Sequence, residues 1–393
     1  MADRKIQVFA YYFPNFHADP LNEAFHGKNW TEWEVARCAR ARFPGHNQPK
    51  VPLWGYEDES DPKVMARKIA CAREYGVNGF IFDWYFSEEG SFRERALNEG
   101  FLPVSGDFPF ALMWCNHRRA NAHPAPYTGN IEIGSPAGVS PDKFEVMTDH
   151  IVKDYFSQPN YLKIDGKPYF SIFVPGVFLR MFGSAEAAAA ALERFRAKAR
   201  RAGFPGIHLH FNYDGLFHLF DGLEGRKPFA DDDPLKNYRG TPADLVRLFG
   251  LDSTGAYNWS EHCTDFNGFP RIDAELLRQD YLRFLESHPD GVFTLPYSPT
   301  VTTGWDPSPR TVQSDMFERR DYPWTGVWEQ SPAEFGAMLR AGAHYLKTRS
   351  DDNARILTIG AWNEWTEGSY LEPDTRDGYA FLEEVRSVFK PSK

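Results

Sequence analysis

Eight short apolar runs recur along the 393-residue chain, at residues 6–12, 79–85, 108–115, 168–174, 207–213, 255–259, 291–297 and 356–362. Most are followed by a stretch with helical apolar spacing, at 61–75, 143–156, 184–202, 272–287, 331–347 and 378–389. The start signals of these stretches are specific. Asp61-Pro62 puts a capping acid before a first-turn proline, and Ser331-Pro332-Ala333-Glu334 has the order of a capping box. Strands that alternate with helices predict a parallel sheet with helical crossovers, and eight repeats predict a closed (β/α)8 TIM barrel. No G-x-G-x-x-G follows the first run, which argues against a dinucleotide-binding sheet. No linker interrupts the pattern, so residues 1–393 are expected to form a single catalytic domain. Its long loops, 13–60, 115–141, 214–254 and 298–330, all follow strands and so belong on the functional rim of the barrel.

Charge and cysteine usage narrow the function. A net charge of -10, with no basic run beyond that between Arg196 and Arg201, argues against a nucleic-acid partner. Cys38, Cys71, Cys115 and Cys263 are scattered, with no CxxC pair and no zinc-type histidine spacing, so free buried thiols are expected and no metal or other cofactor. His208, His218, His262 and His344 read as structural. No stretch is long and apolar enough to cross a membrane, and no apolar leader precedes the first strand. As written the chain reads as cytoplasmic, or as periplasmic or secreted if a leader has been removed. Oligomeric state is left open.

Aromatic residues make up 16% of the chain, with 11 Trp, 18 Tyr and 33 Phe. Sugar sites use such rings because the C–H face of a pyranose stacks on them. Aromatic and polar residues also gather where runs end. Tyr11, Tyr12 and His17 follow the first, Asp83 and Trp84 the second, Trp114, Asn116 and His117 the third, and Asn212 and Asp214 the fifth. Tyr257 and Tyr297 lie in the sixth and seventh. Ordinary loop capping by Asn and Asp accounts for one such end, but poorly for all of them. The first loop adds Trp30, Glu32 and Trp33, then His46 and Gln48. These are candidates for shaping a cleft and binding hydroxyls, or for a small core of the loop itself. The last run ends in Trp362-Asn363-Glu364-Trp365-Thr366-Glu367-Gly368. Glycosidic hydrolysis takes two carboxyl groups. Three residues apart on a strand they would face opposite ways, whereas on a turn beyond it both face one way. Glu364 and Glu367 are therefore the expected catalytic pair, with Trp362 and Asn363 as substrate contacts. Apolar walls from Trp362 and Trp365 would raise the pKa of one acid.

Several blocks together carry a family resemblance. They are Ala10-Tyr11-Tyr12-Phe13-Pro14-Asn15-Phe16-His17, Trp30-Thr31-Glu32-Trp33, Gly45-His46-Asn47-Gln48-Pro49, Gly76-Val77-Asn78-Gly79-Phe80, the Trp362–Gly368 segment and Leu371-Glu372-Pro373. Across residues 10–373 the chain resembles WbsX-type proteins of the glycoside hydrolase family 99 group, which includes endo-α-mannosidases and endo-α-mannanases. The resemblance implies a retaining glycoside hydrolase without a metal, acting on an α-mannoside-like, 1,2-trans bond of an oligo- or polysaccharide. In that mechanism Glu364 takes the proton of the sugar 2-hydroxyl, giving a 1,2-anhydro sugar, with a covalent intermediate as the alternative, and Glu367 protonates the leaving oxygen and then activates water. The chain departs from the family pattern after the third run. Trp114-Cys115-Asn116-His117-Arg118-Arg119 has no acid where relatives carry an Asn-Glu-Asn-Trp-like stretch, so the sugar subsites are expected to differ. The alternatives are a glycosyltransferase or transglycosylase of polysaccharide biosynthesis and a non-catalytic glycan-binding barrel. The D-x-D form of Asp231-Asp232-Asp233 reads as a solvated turn.

Overall fold

The computed structural model describes residues 5–121, 132–226, 228–229, 233–259, 268–312, 317–320, 322–349 and 355–390. Its centre is a parallel barrel. The strands are β1 (Gln7–Tyr12), β2 (Gly79–Ser87), β3 (Phe110–Trp114), β4 (Lys167–Ile172), β5 (His208–Asn212), β6 (Ser253–Gly255), β7 (Tyr297–Ser298 and Thr300–Thr302) and β8 (Ile356–Gly360). Each pairs with its sequence neighbour, and β8 returns to β1 with Phe9 opposite Thr358. Buried on both faces, these strands read as continuous apolar runs rather than alternating ones.

The seventh strand closes the barrel in two pieces. Tyr297 and Ser298 pair with Thr254 and Gly255 of β6, while Thr300–Thr302 pairs with Thr358–Gly360 of β8. Pro299, which has no N–H to give a ladder, separates the halves. The expected strand at 291–297 is corrected accordingly: only Tyr297 of that run is in the barrel. The sixth strand likewise sits at Ser253–Gly255 rather than at 255–259, and β8 stops at Gly360.

The crossovers follow their caps. Asp61 accepts from the Lys63 amide to start α1 (Pro62–Tyr75), and left-handed Gly76 ends it. Helices α2 (Pro141–His150), α3 (Ala185–Arg201), α4 (Pro242–Phe249), α5 (Ala274–Ser287), α6 (Pro332–Thr348) and α7 (Ala380–Phe389) follow. The Ser331–Glu334 capping box at α6 forms as expected. The helix expected at 143–156 continues α2 as a π-helical turn over Ile151–Phe156. Residues 214–254, expected as a loop, open within a helix, Tyr213–Leu223, and carry α4. Pleating sends Phe82 and Trp84 outward, Phe82 onto Phe101 at 5.1 Å and the Trp84 indole onto Glu94 at 2.7 Å. It sends Asp83 inward. Cys38 is exposed, against expectation, while Cys71 and Cys115 are buried and free. No described helix is long and apolar enough to cross a membrane.

Candidate active site

Past β8 the chain is stitched to the end of β1. The Trp362 amide donates to the Tyr11 carbonyl at 2.6 Å, and the Asn363 side chain bonds the amide and the carbonyl of Phe13, both at 2.8 Å. Trp365–Glu367 then forms a single 3-10 turn, closed by left-handed Gly368 (φ 64°). A Cβ at Gly368 would sit 2.7 Å from that of Asp306, so the close loop contact adds to the need for glycine. Glu364 and Glu367 lie 4% and 7% exposed on this turn.

One cation joins them. Arg310, buried on the loop after β7, donates to Glu367 Oε1 through Nη1, and its Nη2 is 3.3 Å from Glu32 and 3.7 Å from Glu364 Oε2. Its Nε donates to Thr366 Oγ1 at 3.2 Å. The Tyr322 hydroxyl donates to Glu367 at 2.6 Å. Glu364 has a poorer shell. Among the described residues its Oε2 has no hydrogen-bond partner, and Oε1 receives only a long bond, 3.4 Å, from the Tyr257 hydroxyl. Burial, then the neighbouring Glu367 charge, pushes the Glu364 carboxyl well above its usual range, with Arg310 pulling the other way. Asp83 accepts from the same Tyr257 hydroxyl at 2.9 Å, and burial raises it well above the carboxylate range too. The close approach of Tyr257 depends on Gly360, where a Cβ would come within 2.2 Å of the Tyr257 carbonyl oxygen. Two catalytic-type carboxyls, in unlike surroundings on one barrel rim, are what acid–base chemistry on a glycosidic bond requires.

A family model described as "Glycosyltransferase WbsX" matches residues 8–385. The chain belongs to the WbsX family. It is 27% identical to the uncharacterized protein WxcX of Xanthomonas campestris pv. campestris (strain B100) over 97% of its own length and 49% of that protein's. It thus spans about half the length of the curated relatives it matches. Among solved structures it is similar to a glycoside hydrolase-like protein (TM-score 0.58, 13% identity, covering 99% of this chain and 96% of the other). It is also similar to the GH99 endo-α-mannosidase of Bacteroides thetaiotaomicron (TM-score 0.54, 14% identity, 98% and 95% covered). At these identities the likeness shows the fold, a TIM-type barrel shared with glycoside hydrolases.

Several expected contacts instead build the frame of this WbsX site. Lys68 of α1 is buried between Glu59 and Glu372, 2.6 Å from each. Glu372 accepts from both indoles of the motif, Trp362 at 2.9 Å and Trp365 at 2.8 Å, and Glu59 accepts from Asn363 at 2.8 Å. Tyr12 joins this cluster, its hydroxyl 3.3 Å from Lys68. His46 and Gln48 hold Asp306, at 2.8 and 2.6 Å, and the Asp306 amide bonds the Glu367 carbonyl at 2.5 Å. Burial alone would raise Asp306, but the His46 hydrogen bond and the Lys50 charge bring it below its usual value. Glu32 accepts from Thr366 at 2.9 Å and Asn15 at 2.7 Å.

The remaining candidates scatter. Tyr11 packs on Tyr257 at 4.8 Å, next to the acids. Trp33 bonds the Glu57 carbonyl at 2.8 Å and packs on Phe16, and Trp30 stacks on His26 at 4.1 Å, making a small core of the loop. His17 is buried with both ring nitrogens unpartnered, and burial lowers it to about 4. Trp84 and Trp114 face the helices, Trp114 onto Phe144 at 6.0 Å. Asn116 bridges β3 to β4 through the Val174 amide and carbonyl, at 2.7 and 2.9 Å. Asn212 is buried at the end of β5. Tyr297 belongs to a separate cluster with Phe284 and Tyr345. His117 is exposed beside Tyr85, ring centroids 6.1 Å apart. Asp214 lies in the Tyr213–Leu223 helix, its side chain outside the described residues, as are Asp231, Asp232, His262 and Cys263. Among the described residues no three His, Cys, Asp or Glu side chains converge as a metal site. Arg310, Tyr322, Asp306 and Lys68 were not singled out from sequence. Arg310, Tyr322 and Asp306 sit in a long loop without periodicity, and Lys68 looks like any lysine on a helix.

Proposed function

We propose that this WbsX chain is a retaining glycoside hydrolase that cleaves an α-mannoside-like, 1,2-trans bond in an oligo- or polysaccharide. The observation that carries the reading is the unlike pairing of Glu364 and Glu367 around Arg310. Glu364, raised by burial and short of donors, is a strong base for a sugar 2-hydroxyl. Removing that proton lets O2 attack C1 and expel the leaving oxygen, which Glu367 protonates. The 1,2-anhydro sugar is then opened by water that Glu367 deprotonates, and the O2 proton returns from Glu364. Arg310 and the Tyr322 hydroxyl hold Glu367 in place through both half-reactions. A 2-hydroxyl trans to the leaving group is required.

The test uses α-manno-oligosaccharides and α-mannosyl fluoride with Glu364→Gln and Glu367→Gln. Both variants should lose oligosaccharide cleavage by about 10²–10⁴-fold, the scale of general acid–base catalysis. The fluoride needs no proton, so Glu367→Gln should still consume it to the intermediate and Glu364→Gln should not. Turnover of nucleotide sugars alone would overturn the reading.

The family description favours a second reading, a transferase. In a transglycosylase the same acids would act, with an acceptor hydroxyl replacing water in the second half-reaction. Product analysis with excess acceptor glycan separates the two.

A further inference from the structure

Arg93 combines a buried, unpartnered nitrogen with a cage of aromatic rings. Most arginines with an ion pair in the structure meet a carboxylate on the same or an adjoining element, as Arg95 meets Glu99 at 2.9 Å and Arg278 meets Glu334 at 2.8 Å. Among the described residues the Arg93 guanidinium meets no such carboxylate, and its Nε is buried without a hydrogen-bond partner. The nearby Asp19 carboxylate is used by the Arg93 amide instead, at 2.8 Å. The side chain is nevertheless held by rings. Its guanidinium carbon is 4.8 Å from the Tyr85 centroid, 5.7 Å from Phe92 and 5.9 Å from Phe13. A backbone φ of 59° at Arg93 fixes its departure from the β2 hairpin. In a protein of net charge -10, a preorganised and unpaired guanidinium is a donor set waiting for an anion.

Its position ties it to the acids. Phe13 carries Arg93 on its ring at 5.9 Å and Arg310 at 5.8 Å, and Arg310 is bonded to Glu367. The two guanidiniums are thus separated by no more than twice the distance from one ring to its cation, a gap that a short glycan spans. On the same side, His117 stands edge-on to Tyr85, and exposed Arg118 follows it. This is where the third strand ends without the acid expected from the family pattern.

We infer that Arg93 is a specificity determinant for a glycan carrying an anionic group, a carboxylate or phosphate, bound beside the catalytic pair over Phe13 and Tyr85. The inference rests on the hydrolase reading for the identity of that pair. The guanidinium offers a fork of N–H donors to the anion, while the buried Tyr85 ring beneath it holds the fork in place.

Saturation-transfer NMR on the full chain tests it, with methyl α-mannosiduronate, mannose 6-phosphate and neutral methyl α-mannoside, each at about 10 mM, a range that reports weak millimolar affinity. At least one anionic sugar should bind about tenfold or more tighter than the neutral one, the scale of a charge-assisted contact. The stronger of the two identifies carboxylate or phosphate. Arg93→Gln should remove the preference, Arg93→Lys should keep part of it, and added salt should weaken it. Equal binding of charged and neutral sugars, binding of none, or a preference that survives in a folded Arg93→Gln protein overturns the inference. Because binding is read without turnover, the two readings fail separately. Loss of the anionic preference with glycan cleavage intact removes this inference alone. Anion binding without cleavage by the wild type removes the hydrolase reading alone.

Discussion

Replacing Arg310 with Met removes a cation that faces Glu32, Glu364 and Glu367 together. At 3.7 Å from Glu364 Oε2, a unit charge acts with about 4 kcal/mol in a medium of effective dielectric constant 20. Each 1.36 kcal/mol is about tenfold in rate, so full loss would cost about a thousandfold in kcat/KM, and partial relaxation of the turn about a hundredfold. The direction of the pH effect is fixed by the structure. Arg310 holds Glu364 down against burial and against the charge of Glu367. Without it Glu364 keeps its proton to higher pH, and a base that must be ionised to act is silenced there. The acid limb of the kcat/KM profile should therefore move up in Arg310→Met and stay near the wild-type position in Arg310→Lys, which keeps the charge but loses the planar fork. The assay is initial-rate cleavage of an aryl α-mannoside across pH, with circular dichroism to confirm that the variants fold. An acid limb that stays put or moves down in folded Arg310→Met would refute the reasoning.

Two further predictions concern buried charge. Asp83 has a folded pKa raised by burial, so its contribution to stability is complete below its unfolded value and is lost as pH rises toward the folded one. Asp83→Asn, which can still accept from Tyr257, should gain stability over the wild type as pH rises above about 4, and a gap independent of pH in denaturant melts would contradict this. Lys68→Met strands Glu59 and Glu372 in the core, with an expected cost of about 3–5 kcal/mol near neutral pH. The cost should shrink as pH falls and Glu59, whose carboxyl burial raises, takes up a proton, and urea unfolding at neutral and acidic pH measures it.

What was legible in the sequence was whatever a local pattern could carry. The barrel followed from strand–helix alternation because each unit buries its own faces, and the capping signals at Asp61 and Ser331 set two helix starts to the residue. The seventh strand was misplaced because its identity is not local. It is split at Pro299, and each half is defined by the strand that it meets. Glu364 and Glu367 were legible because the strand, the turn and Gly368 lie in one segment. Their electrostatic partners were not, since Arg310 and Tyr322 come from 54 and 45 residues away along the chain, taking the nearer acid for Arg310 and Glu367 for Tyr322. Aromatic and amide side chains beside the acids read as sugar contacts, yet Trp362, Asn363 and Trp365 spend their polar atoms on Glu59, Glu372 and Phe13. An indole at a strand end is equally suited to a sugar and to a buried carboxylate, and only the third dimension shows which of them it meets.

The position of each acid follows from that division of labour. The buried Lys68 cluster binds the motif through Trp362, Asn363 and Trp365, the residues on either side of Glu364. Glu367 is held from the side. His46 and Gln48 from the loop after β1 grip Asp306 from the loop after β7, whose amide meets the Glu367 carbonyl and whose loop delivers Arg310. Glu32 and Thr366 then tie that guanidinium back to the first loop. The two long loops are thus joined to each other and to the acids through Asp306, Arg310 and Glu32. Arg93, His117 and Arg118 stand outside those two loops, past the ends of β2 and β3, so replacing them is expected to leave Arg310, Glu364 and Glu367 where they are.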